Sequence, residues 1–327
     1  MRKLVLIISL VFSVFFAYAI TFALTEIIRL LNKWMLGISP DCILLSDFPR
    51  CQEAEASLRV LGYFSLALVF TVIIVGFIAD RLKIALLGSI ILYLPVIGYF
   101  AFTMFFLAGV GVLRFLWIPF IDSEILIRLG FITHLPLKIL NFLASSTASL
   151  LVSNTSWEFT VPICFAFMIT GLSIFTVSSA TWIYDRLVCK KLSLHGVYKY
   201  SRHPQYLGFI VWSYGFFSLA STAESGRGWA PPMPGLPWLI TTMLIITIAL
   251  LEEVKLRREL STKYLEYAGQ TPFMIPLPRP ILKILAHSSR KITGREFPET
   301  RSDVFKAMLA YSALIMLVSL CLSHFEL

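Results

Sequence analysis

Charge is scarce in this sequence. Only 14% of its 327 residues are Asp, Glu, Lys or Arg, where a soluble domain carries about a quarter. Hydrophobic residues make up 57%, and the mean hydropathy is +0.81. One aqueous core cannot absorb so large an apolar surplus, so most of it must face lipid. Metal-ligand spacing is also missing: the five cysteines form no paired motif, and no metal is expected. Cys164 and Cys321 sit in apolar stretches and read as core residues, and Cys189 follows a helix beside Lys190 and Lys191. Cys42 and Cys51 share one loop; if it is extracytoplasmic it admits either a disulfide or two unpaired thiols. No internal repeat and no low-complexity linker appears, which excludes solenoids and tethered modules.

The formal net charge is +9, yet the basic residues lie in short runs between apolar stretches rather than on one soluble face. That pattern follows the positive-inside rule. It points to the lipid bilayer and its headgroups as the partner and away from nucleic acid. Nothing in it speaks to an oligomeric state.

A spanning helix takes about 20 mostly apolar residues. Residues 4–24, 60–79, 84–108, 159–182 and 306–323 qualify, and 206–221 and 237–252 form a shorter pair around the turn Gly226–Pro237. The fold class is therefore all-α: a polytopic membrane helical bundle of about seven transmembrane helices (range 5–8). A helical hairpin is expected at 206–252. Residues 112–121 and 136–152 read as interfacial or re-entrant pieces. Arg2-Lys3 and the apolar run behind them imitate a signal peptide with Ala17-Tyr18-Ala19 as its cleavage site, but the run continues past that site and reads as a retained first helix. Arg81 and Lys83, Arg186 to Arg202, and Lys255 to Lys306 all fall on the cytosolic side if 109–158 stays outside. The sequon Asn154-Thr155-Ser156 then lies outside, too close to the next helix for ready use. Three regions follow in order: an accessory bundle over 1–158, a core over 159–280, and a basic linker with a final helix over 281–327.

The chemistry-bearing residues concentrate at the cytosolic mouth of the hairpin. The segment His195-Gly196-Val197-Tyr198-Lys199-Tyr200-Ser201-Arg202-His203-Pro204-Gln205-Tyr206-Leu207-Gly208 mixes basic and aromatic side chains. Pro204 suits a first helical position, which puts His203 near the N-cap and leaves backbone N–H groups to favour an anion. Arg202 offers a planar fork to a carboxylate. Gly208 and Gly215, seven apart, permit close approach of another group. The plainer reading makes Lys199 and Arg202 positive-inside anchors, and Tyr198, Tyr200 and Tyr206 interfacial aromatics.

At the other end of the hairpin, Glu252-Glu253 directly follow the apolar run. A carboxylate near hydrocarbon is costly unless paired, so the two are candidates for holding a sulfonium or ammonium. An Arg257–Glu253 pair at i,i+4 is the structural alternative.

Taken together, Gly196-x-Tyr198, Arg202-His203-Pro204-x-Tyr206-x-Gly208, the hairpin, Glu252-Glu253, Tyr264-x-x-Tyr267 and Thr271-Pro272-Phe273-Met274-Ile275-Pro276 resemble the isoprenylcysteine carboxyl methyltransferase and phospholipid methyltransferase superfamily. The resemblance covers roughly a quarter of the chain. It implies a helical membrane enzyme that binds S-adenosyl-L-methionine on the cytosolic side and takes a lipid-like or prenylated substrate laterally from the bilayer. Carried over, Gly196, Tyr198, Tyr200, His203, Pro204, Tyr206, Gly208, Tyr264 and Tyr267 line the cofactor pocket. Glu252 and Glu253 hold the cofactor's methionine end, and Arg202 anchors a carboxylate or positions the substrate. Val197 stands where the family commonly has proline, and Ser261-Thr262-Lys263 replace its usual Phe-Gly, departures that bear on the substrate. A prenylcysteine, a phospholipid and another isoprenoid lipid all stay open, as does the acceptor atom.

Two rivals remain. Membrane sterol reductases carry a related Arg-His-Pro-x-Tyr segment and use NADPH, but Glu252-Glu253 would repel a phosphorylated dinucleotide. A transporter would place a charge in mid-span, and none stands out.

Overall fold

The computed structural model describes residues 2–23, 26, 30, 48–105, 115–151, 159–188, 192–225 and 234–326. All regular structure among them is helical. In lipid, only a helix satisfies the backbone polar groups within its own segment, short of a closed barrel. In chain order the helices are α1 (Arg2–Tyr18, continued by a π-turn over Ala19–Ala23), α2 (Phe48–Ile78), α3 (Leu82–Phe105), α4 (Ile118–Ile121), α5 (Glu124–Leu129), α6 (Leu135–Leu151), α7 (Thr160–Leu187), α8 (Pro204–Ser225), α9 (Leu236–Gln270), α10 (Arg279–Thr293) and α11 (Arg301–Glu326). Cys42, Cys189, the sequon at 154–156 and residues 226–233 of the hairpin turn lie outside the described residues, as does the side chain of Cys51.

Among the described residues four helices are long and apolar enough to cross a membrane: Lys3–Phe22, Leu58–Ile78, Thr160–Leu187 and Arg301–His324, with Leu82–Val96 a shorter apolar helix. The count of seven from sequence includes α3, α8 and α9 as well. α8 interrupts its apolar run with Gln205, Ser213, Tyr214, Ser218 and Ser221, and α9 turns charged from Glu252 onward. The expected hairpin is formed by α8 and α9. The described part of 136–152 lies in the helix α6, and the described part of 112–121 is a 3-10 turn followed by the short, buried α4. Within the expected basic linker lies α10, closed by Gly294 at φ 79°, a left-handed cap that glycine adopts readily.

The helices gather into two compact units. The first comprises residues 1–19, 169–213 and 243–315, the second residues 20–168, 214–242 and 316–327. In the first unit α7 and α8 approach backbone to backbone. A Cβ on Gly208 would lie 2.6 Å from Phe175 N and 2.9 Å from Gly171 O, and one on Gly171 would lie 2.2 Å from Trp212 N. Small residues permit this contact, and dispersion and packing replace the hydrophobic drive that lipid does not supply. α1 joins them through Phe16, stacked on Phe175 at 6.0 Å, and through the Ser13 hydroxyl, which donates to Thr176 O.

In the second unit α2 and α3 turn at Asp80, at φ 55°. Arg81 N donates to Gly76 O and Asp80 N to Phe77 O, the bond pattern of a Schellman cap. The fully buried Trp117 donates to Leu92 O at 2.9 Å, three residues before Pro95, which lies inside α3. Tyr214 Oη donates to Thr133 O and accepts from Leu137 N, both at 3.1 Å.

Gly208→Val is expected to force α7 and α8 apart at a cost of about 1–3 kcal/mol, the usual range for overpacking. Thermal unfolding in detergent should show a lowered Tm. Gly269→Ala, where a Cβ meets nothing within 4 Å, should leave it unchanged or slightly raised.

Candidate functional site

α8 begins at Pro204, whose missing N–H leaves no donor unpaired at that position. The carbonyl of His203 accepts Leu207 N at 3.0 Å, so His203 caps the first turn. The two preceding amides are already used: Arg202 N donates to Pro272 O at 3.0 Å and His203 N to Phe273 O at 3.2 Å. The tail that leaves α9 therefore runs beside the residues that enter α8.

The side chain of Arg202 completes that junction. Its Nε lies 2.5 Å from Glu253 Oε1 and its Nη2 3.1 Å from Oε2, a fork-to-fork pairing. Nη1 donates to Ala268 O at 2.8 Å and to Thr271 O at 2.6 Å. Four of the five guanidinium N–H groups are thus engaged by protein. The two side chains are 6% and 4% exposed. Arg202 is in consequence committed to the fold as placed, with little left for a substrate carboxylate. Arg257 Nη2 stands 3.7 Å from Glu253 Oε2, so the i,i+4 pair is present alongside. Burial pushes the Glu253 carboxyl up, but the facing His203 and the Arg202 guanidinium outweigh it and hold the group at about 2.

Glu252 has a different setting. Consecutive helix residues point about 100° apart, so Glu253 turns inward while Glu252 keeps a side chain 41% exposed. It accepts the Tyr206 hydroxyl at 2.9 Å, and His203 Nδ1 is 4.0 Å away. Among the described residues no lysine or arginine forms a salt bridge with it. His203 lies between the two carboxylates, its Nε2 3.4 Å from Glu253 Oε1 and buried without a hydrogen bond. Tyr206 stacks on its ring at 5.8 Å and Phe273 meets it edge-on at 5.1 Å.

Tyrosines complete the cluster. Gly196, at φ 60°, opens the 3-10 turn Gly196–Lys199 in a conformation that favours glycine. The turn buries Tyr198, whose carbonyl accepts Tyr267 Oη at 2.7 Å. Tyr264 is 1% exposed, and its hydroxyl is buried without a hydrogen bond. Burial raises the phenols of Tyr198 and Tyr264 and takes Tyr267 to about 12, so all three are neutral.

The structure thus brings together Tyr198, Arg202, His203, Tyr206, Glu252, Glu253, Tyr264 and Tyr267, with Gly196 and Pro204 shaping the backbone. Tyr200 points outward at 74% exposure, and Gly208 is spent on the contact with α7. Phe273 and the Ala268 and Thr271 carbonyls are participants that the sequence reading did not place. Asp185, 1% exposed with His195 Nδ1 3.4 Å from its Oδ2, was also overlooked. An acid in the last turn of an apolar helix was the signal for it.

Residues 134–271 match the family model described as a protein of unknown function, DUF1295. That family is related to steroid 5-alpha reductase and isoprenylcysteine methyltransferase-like membrane proteins. The match spans less than half of the chain but includes every residue of the cluster up to Thr271. No curated protein and no solved structure matches the chain.

Removing one partner of a buried ion pair strands the other charge, at about 3–5 kcal/mol. Arg202→Ala should lower the unfolding midpoint accordingly, and Arg202→Met with Glu253→Leu should recover much of the loss. Acid adds a second check. The folded carboxyl of Glu253 titrates below its ordinary 4.5, so its stabilisation is complete above about pH 4.5 and is lost as pH falls towards 2. Unfolding midpoints in that window should fall with pH less steeply in Glu253→Gln than in wild type.

Proposed function

We propose that the protein transfers a methyl group from S-adenosyl-L-methionine to a lipid-like acceptor held in the membrane. The reading rests chiefly on Glu252: a partly exposed carboxylate that, among the described residues, forms no salt bridge with a lysine or arginine, set in a wall of His203 and tyrosines. Glu253, its neighbour, is already neutralised by Arg202. The methyl donor carries a sulfonium and an α-ammonium, either of which suits the unmatched carboxylate. His203, whose ring faces both carboxylates and stacks on Tyr206, adds a polar aromatic wall beside it, so the residues present fit such a group.

When bound, the donor supplies an electrophilic methyl that needs no metal. Glu252 holds the cation, with the Tyr206 hydroxyl orienting its carboxylate. The Arg202–Glu253 pair keeps the walls in place. Positioning of this kind supplies up to about 7–11 kcal/mol in ideal cases. Basic runs around the mouth favour the cytosolic face for the site, and the acceptor, a prenylated carboxylate or an amine-bearing lipid, reaches it laterally.

A reductase using NADPH is the second reading, because the matched family is related to both kinds of protein. The open carboxylate of Glu252 disfavours it, since a phosphorylated dinucleotide would meet repulsion there.

Isothermal titration of the purified chain separates the two. S-adenosyl-L-methionine should bind, and Glu252→Gln should weaken it by about tenfold to a hundredfold, the usual worth of a charged hydrogen bond. Binding of NADPH without binding of the methyl donor would reverse the assignment.

A further inference from the structure

The helix α10 is split lengthwise into an apolar side and a basic side. Successive helix residues advance by about 100°, so Ile281, Ile284, Leu285 and Ile292 share one side of Arg279–Thr293, and Arg279, Lys283 and Arg290 share the other. Ile281, Ile284 and Leu285 are exposed, Ile284 at 67%. Water disfavours such a stripe, and hydrocarbon accepts it. With 15 residues the helix is about 22 Å long, too short to cross a hydrocarbon core of about 30 Å.

Its depth is set by α11. Both α10 and residues 301–315 belong to the first compact unit. Ser288, on the apolar side of α10, shares a hydrogen bond with Tyr311 of α11 at 2.7 Å. Tyr311 stands five residues past Lys306, the last charged residue before the apolar run of the span Arg301–His324. That is about 7.5 Å along the helix, the level where tyrosines mark the boundary between hydrocarbon and headgroups. The side of α10 that meets Tyr311 continues to Ile284 and Ile281, so the exposed stripe lies at the same boundary.

Charge names the occupant. Residues 267–295 hold five basic side chains and no acidic one. Arg290 pairs with Glu296 and Arg295 with Glu299. Among the described residues no carboxylate forms a salt bridge with Arg279, Lys283 or Lys291. A basic face behind an apolar one is complementary to a leaflet with negative headgroups.

We propose that α10 lies in the plane of the membrane surface, with Ile281, Ile284 and Leu285 below the headgroups, and that Arg279, Lys283 and Lys291 gather anionic phospholipids around it. The helix starts six residues after Phe273, so its seat on the leaflet fixes the far end of the tail whose carbonyls accept from Arg202 and His203. The same seating is expected whichever cofactor the chain binds.

The test uses the full chain in nanodiscs of equal parts phosphatidylcholine and phosphatidylserine, with the photo-crosslinker p-benzoylphenylalanine in place of Ile284 or of Lys283. Illumination should join the probe at 284 to lipid acyl chains, and the probe at 283 should yield several-fold less of that product. Mass spectrometry of the 284 adducts should find phosphatidylserine above its half share. A basic residue near the surface is worth about fivefold in local anionic lipid. Arg279→Gln with Lys283→Gln and Lys291→Gln should therefore return the adducts to the bulk ratio, and high salt should do the same to the unsubstituted surface. Adducts from 284 to a second copy of the chain, no lipid adducts, or equal lipid labelling from 283 would overturn the seating. A bulk lipid ratio at the unsubstituted surface, or a phosphatidylserine excess that neither charge removal nor salt reduces, would overturn the choice of anionic headgroups.

Discussion

A guanidinium and a carboxylate taken out of water persist only when each satisfies the other and the remaining hydrogen-bonding capacity is met nearby. Arg202 and Glu253 meet both conditions. Their paired contacts join the residues before α8 to the middle of α9, and the second amino group of Arg202 holds the carbonyls of Ala268 and Thr271. Two parallel backbone bonds from Arg202 and His203 to Pro272 and Phe273 close the same junction. The residues before α8, the middle of α9 and the tail that follows it are thereby held at one point, and the other side chains of the cluster are placed relative to it.

That constraint also divides the labour between two adjacent glutamates. Glu253 is consumed by the fold, with Arg202 on one side and Arg257 on the other. Glu252, one residue earlier and rotated by the helix, keeps its charge partly exposed, and among the described residues its hydrogen-bond partner is the Tyr206 phenol. A permanently paired charge is a poor ligand because its field is already cancelled, whereas an unmatched one attracts a cation. The chemistry proposed for the cage follows from this difference between neighbours.

Local features of the site were legible in the amino-acid sequence because they depend on short-range rules. Pro204 announced the start of α8, the polar interruption announced the mouth of the hairpin, and Glu252-Glu253 announced a costly acidic pair at the end of an apolar run. What escaped depends on pairing across distance. Arg202 read as an open fork for a substrate, and its commitment to Glu253, 51 residues away, appears only once the hairpin closes. Gly208 looked like a pocket residue by its place in a motif, yet the helix rotation turns it to α7. Asp185 hid behind the basic residues that follow it. α10 was submerged in a basic stretch because its apolar residues alternate with Lys283, His287, Arg290 and Lys291 at helical spacing, where only the charge stood out.

Ultraviolet crosslinking of S-adenosyl-[methyl-3H]methionine to the full chain in membranes, followed by peptide mapping, reads the location of the cage itself. The account predicts label on peptides covering Gly196 to Tyr206 or Glu252 to Phe273, displaced by excess unlabelled donor. Label confined to peptides away from these segments, or label that no excess of donor displaces, would contradict it.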